Sequence, residues 1–134
     1  MNILMLILAV LFLLVNIKGY KKIFKPSDSI GREITNMIDE CKTENEKSFV
    51  KLLMLLFTLS YSTILLIYYI AAGVIMTELI GMVLSSVLFG VNTVLSMIKI
   101  PQMIEGKYKY SIYSRVMHPA VTFYHIYFIL FLLF

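Results

Sequence analysis

The chain has 134 residues, of which 60% are hydrophobic, and a formal net charge of +4 from 12 Lys+Arg and 8 Asp+Glu. Soluble domains run nearer 45–50% apolar, so with a mean hydropathy of +0.86 this composition excludes an ordinary water-soluble domain and predicts one integral membrane domain over residues 1–134. Cys41 is the only cysteine, which excludes an intrachain disulfide.

The first apolar run covers about residues 2–18. No basic residue precedes it and no small-x-small site follows it, because the next residues are Asn16, Ile17, Lys18, Gly19 and Tyr20. The run is therefore expected to stay as a membrane anchor and not to be cleaved as a signal peptide. Its length is marginal for a hydrocarbon core of about 30 Å, and Lys18 can extend it by reaching back to the headgroups.

A basic cluster follows, with Lys18, Lys21, Lys22 and Lys25, and Pro26 then interrupts the chain. Ser27, Asp28 and Ser29 offer helix caps, predicting an amphipathic helix over about 28–48. Ile30, Ile34, Met37, Ile38 and Cys41 recur on one face of it. Glu33, Asp39, Glu40, Glu44 and Glu46 occupy the other. Residues 27–48 hold six acidic and three basic side chains, net −3. A helix meant for anionic lipid is usually basic. An acidic one suits a protein partner, or folding over the bundle's own end, and its apolar face is the candidate docking surface.

Between Lys51 and Lys99 lie 47 residues in which Glu78 is the only charge. One crossing takes about 20 apolar residues, so the stretch reads as a helical hairpin with spans at about 52–75 and 78–98. At about 100° per residue, Lys51, Thr58, Ser62, Tyr69, Ala72 and Gly73 share one sector of the second span. Thr77, Glu78, Gly81, Ser85, Asn92, Ser96 and Lys99 share one sector of the third. Polar groups in hydrocarbon face the bundle interior, so the two stripes are expected to meet. A separate small-residue face, Ser86, Gly90 and Thr93, points elsewhere. Glu78 falls at the hairpin tip.

The following loop interleaves Tyr108, Tyr110 and Tyr113 with basic residues. Next to a span this pattern reads as an interfacial aromatic belt, and no nucleic-acid partner is expected. A fourth span covers about 113–134, with Arg115, His118, Thr122 and His125 on one face. The two histidines are seven residues apart, about 10 Å along a helix, which does not suit a shared metal or a sandwiched haem, so no cofactor is expected. Glu78, His118 and His125 are the candidate proton- or ion-coupling groups.

The basic residues sort onto the two polar loops, and the segment around residues 73–81 has none. The positive-inside rule then puts both polar loops in the cytoplasm and both termini outside. The expectation is an all-α, multi-pass protein of the cytoplasmic membrane with four spans and one cytoplasmic amphipathic helix. No nucleophile–base motif, phosphate-binding loop, zinc motif or dinucleotide fingerprint occurs, so no enzymatic activity is expected. The leading functional expectation is a non-catalytic subunit or accessory protein of a membrane complex, with lipid and other membrane subunits, or further copies of itself, as partners. The alternatives are a holin-like or depolarising pore, a small ion or solute transporter, and a membrane immunity or exclusion protein.

Overall fold

In the computed structural model, residues 3–105, 107–109 and 111–134 are described; Asn2 and Tyr110, which the sequence reading assigned to the first span and the aromatic belt, lie outside them. Five helices, α1 (Ile3–Ile23), α2 (Ser29–Asp39), α3 (Glu44–Ile75), α4 (Leu79–Ile104) and α5 (Ile112–Leu133), account for the regular structure of the described residues. Four of them are long and apolar enough to cross a membrane. At 1.5 Å per residue α1 reaches about 32 Å and α5 about 33 Å. Both terminal helices are thus longer than their apolar runs and long enough for a hydrocarbon core of about 30 Å, with Lys18, Lys21 and Lys22 at the polar end of α1 and Arg115 at that of α5.

The amphipathic helix expected over 28–48 is two pieces. α2 stops at Asp39, and α3 begins afresh at Glu44. The cause is a capping box: Thr43 accepts at its hydroxyl from the Glu46 amide, and the Glu46 carboxylate accepts from the Thr43 amide, both at 3.2 Å. Two donors that a helix start leaves orphaned are satisfied reciprocally, which outcompetes continuation of the α2 periodicity. Glu44 and Glu46 therefore belong to the first turn of the second span, where they complement the helix dipole.

α2 lies against the bundle's basic end. Ile34 and Ile38 are buried at 6% and 8% exposure, while Met37 is 54% exposed. The proposed docking face is thus largely covered by the chain itself. Around α2, Lys25 pairs with Glu33 at 2.6 Å and Arg32 with Asp28 at 2.7 Å. The hydrogen bonds from Arg32 and Lys25 hold the Asp28 and Glu33 carboxyls, respectively, below their ordinary pKa.

The long helices form two antiparallel pairs. α3 and α4 make the hairpin, with Ser62 Oγ 3.2 Å from Ser96 Oγ. Near the turn, a Cβ added at Gly73 would lie 3.2 Å from that of Ser85, so the backbones approach closely there. α1 and α5 make the second pair. The Asn16 amide donates to the His118 carbonyl at 2.9 Å and to Thr122 Oγ1 at 2.7 Å. Tyr20 reaches the same threonine hydroxyl at 2.9 Å.

Aromatic side chains join the pairs. The core contains Phe12 of α1, Tyr68 and Tyr69 of α3, and Tyr124 and Phe128 of α5. Their rings meet at centroid distances such as 4.9 Å for Phe12–Tyr68 and 5.4 Å for Tyr69–Tyr124. The outward surface is apolar in turn: Phe57, Val74, Met97 and Phe123 are each more than 70% exposed. In water such a surface would drive association; against lipid tails it is the solvated side. Tyr108 departs from the belt expected of it. It is 5% exposed and lies within the basic end, whereas Tyr113 is 77% exposed.

Candidate functional site: a polar cavity between the helix pairs

Where the two pairs meet, the packing leaves a cavity of about 170 Å³. One water needs only about 10–15 Å³ of such space. α4 contributes Asn92 and Lys99 to the wall, and α5 contributes Ser114, His118 and His125. Asn16 of α1 and Tyr61 and Tyr69 of α3 complete its polar part, beside apolar side chains such as Phe12 and Leu88. Among the described residues no acidic side chain lines it. A second cavity of about 270 Å³ shares Asn16, Tyr61 and His118 and adds Lys22 and Tyr108 at the basic end.

The histidines reach this wall because they lie two turns apart on one face of α5, whose register is set by the Asn16–Thr122 contacts. His125 is 1% exposed. Its Nδ1 is 3.0 Å from the Tyr68 hydroxyl. Its ring is stacked parallel to Phe12 and Tyr69, at centroid distances of 6.0 and 6.4 Å. The imidazole of α5 is thus held by side chains of two other helices, α1 and α3. His118 packs closely on α1: a Cβ added at Gly19 would be 2.5 Å from its Nε2.

Asn92 is the unusual member. Its Nδ2 is buried and has no hydrogen-bond partner among the described residues. A buried amide left unpaired costs about 1–3 kcal/mol. Lys99 likewise has no ion pair among the described residues.

The two stripes of the hairpin do meet, but not as a uniform ladder. Ser62 and Ser96 bond across it, and Tyr69 and Asn92 line the cavity. Thr58 instead donates to the Met54 carbonyl of its own helix at 2.7 Å. Ser85 turns to α5, 2.7 Å from the Tyr124 hydroxyl. Gly81 packs on Met76 at the turn. Glu78 is exposed at the end of the bundle opposite the basic one, accepting from the Tyr127 hydroxyl at 3.0 Å. It is therefore separate from the two histidines with which it had been grouped. Among the described residues no three His, Cys, Asp or Glu side chains come together as a metal site. On α2, Ile30 is partly buried and the Cys41 thiol donates to the Met37 carbonyl at 3.6 Å.

Sequence reasoning passed over Asn16, Tyr68, Ser114 and Tyr124. Asn16 carried a usable signal, an amide in an apolar run. The tyrosines carried none, because a tyrosine in a span has the same spacing whether it meets a histidine or a headgroup.

Comparisons with protein-family models, with curated proteins and with solved structures found no match to this chain.

Proposed function

We propose that this chain is a multi-pass protein of the cytoplasmic membrane, with its basic end and α2 inside, and that it serves as a non-catalytic subunit or accessory protein of a larger membrane assembly. The orientation rests on the sorting of its Lys and Arg residues onto the loops at one end of the bundle. The assembly role rests on one observation, the splay between α4 and α5. These helices leave an apolar groove of about 680 Å³ containing Ser86, Gly90, Val94 and Tyr113. A Cβ added at Gly90 would meet nothing within 4 Å. A glycine and serine one turn apart on an open apolar groove suit the close approach of a neighbouring transmembrane helix. The covered face of α2 makes docking through Ile34 and Ile38 the weaker route.

The test is the mass and composition of the complex extracted gently from its native membrane. Other polypeptides at a fixed ratio, lost when Gly90 is replaced by Leu, support the subunit role. A lone monomer overturns it, and a ring of identical copies replaces it with the pore reading.

A second reading, a small ion or solute carrier, is favoured by the polar cavity that brings His118 and His125 together. Its test is flux into proteoliposomes. Flux unchanged in His125→Phe and Lys99→Met would remove the cavity from any transport.

A further inference from the structure

We infer that the cavity between the helix pairs is a binding site for a small inorganic anion of the halide or nitrate class. Its wall is rich in donors and, among the described residues, contains no carboxylate. The Asn92 amide is buried there with its donor unpaired. Lys99 stands on the same wall, seven residues along α4 and so about 10 Å nearer the basic end. Both Asn16 amide hydrogens are already committed, to the His118 carbonyl and to Thr122. Asn92 and Lys99 thus keep donor capacity on this wall.

Electrostatics decides the class of ligand. Lys99 is partly buried and has no ion pair among the described residues, and a cation partly withdrawn from water is favoured by an opposite charge. A cation would add to the lysine's charge and would find no carboxylate. A neutral solute would engage the amide and leave the lysine uncompensated. An anion answers both, and charge-assisted hydrogen bonds to it are the stronger kind. The cavity's size admits a small inorganic ion with a few waters. The neighbouring cavity, with Lys22 on its wall, supplies an approach from the basic end.

This inference deepens the carrier reading without requiring transport: a chain that binds chloride and moves none retains the site and loses the carrier function. The experiment is chloride NMR line broadening on the full chain in phosphatidylcholine nanodiscs. Saturable broadening is expected, displaced by nitrate. It should be at least about tenfold weaker in affinity in both Asn92→Leu and Lys99→Met. Lys109→Met, an exposed loop cation outside the cavity, should leave it unchanged. Helical circular dichroism and monodispersity of each variant check folding. Should either cavity variant fail that check, the smaller changes Asn92→Ser and Lys99→Gln take its place.

Broadening that does not saturate, or that falls equally in Lys109→Met, would reflect general surface charge and overturn the site. Broadening abolished when phosphatidylglycerol replaces part of the lipid at constant chloride would identify a lipid headgroup as the occupant and overturn the free anion.

Discussion

Three glycines of the α3–α4 hairpin should respond differently to one added methyl group. At Gly81 the new Cβ would lie 2.7 Å from Met76 Sδ and 2.8 Å from Met76 Cβ. Comfortable carbon–carbon contact begins at about 3.5 Å. Met76 is fully buried, and its Cβ moves only with its backbone, so no rotamer relieves the clash. The turn itself has to open. Overpacking of this kind costs about 1–3 kcal/mol, and the upper half of that range applies because the obstruction is fixed. Gly→Ala in a helix returns up to about 1 kcal/mol. Gly81→Ala should thus destabilise by about 1–2 kcal/mol. At Gly90 nothing lies within 4 Å, so Gly90→Ala should stabilise the monomer by about 0.5–1 kcal/mol. At Gly73 the nearest atom is Ser85 Cβ at 3.2 Å. A shift of a few tenths of an ångström suffices, and Gly73→Ala should fall between the other two. Reversible unfolding by dodecyl sulfate in mixed micelles measures all three. A Gly81→Ala protein as stable as Gly90→Ala would refute the close approach at the turn and with it the packing of the hairpin.

The Tyr68–His125 contact should show a coupling of about 0.6–1.7 kcal/mol in a Tyr68→Phe/His125→Leu double-mutant cycle, between the mean and the maximum found for hydrogen bonds between membrane helices; zero coupling would leave the imidazole held by ring packing alone. Thr43→Ala should cost about 0.5–2 kcal/mol and show as faster amide exchange in the first turn of α3, whereas uniform acceleration along that helix would contradict a local capping role. The pH dependence of α2 has a definite sign. The Asp28 and Glu33 carboxyls are held below their ordinary pKa, so their stabilisation is fully present above the unfolded value of about 4 and is lost as pH falls through the lower folded values. Exchange protection of α2, corrected for intrinsic rates, should hold from neutral pH to about 5 and decline below about 4, with less decline in Asp28→Asn/Glu33→Gln. For orientation, Cys41 is a native probe: an impermeant maleimide should label it only after cells are permeabilised, and Glu78→Cys/Cys41→Ser should label in intact cells. The reverse pattern would invert the topology.

Four helices long and apolar enough to cross a membrane, and the hairpin, were legible in the linear chain, because hydrocarbon thickness imposes a run length that apolar residues display directly. The basic residues of the polar loops were equally plain, since each belongs to a segment between spans whatever the packing. The facing of the second and third spans was also readable, as helical periodicity puts Ser62, Tyr69, Asn92 and Ser96 on inward sectors. Tertiary structure decided the rest. It broke the expected 28–48 helix at Thr43, because a local capping box outweighed a periodicity that ran across it. It buried Ile34 and Ile38 within the chain itself, whereas the periodicity of α2 marks an apolar face without saying what covers it. It separated Glu78 from His118 and His125, since a shared polar character says nothing about depth on different helices. It also assembled Asn16, Asn92, Lys99 and His118 around one cavity. That convergence depends on the rotation of the α1–α5 pair against the hairpin, which tyrosine and phenylalanine packing sets and no single helix encodes.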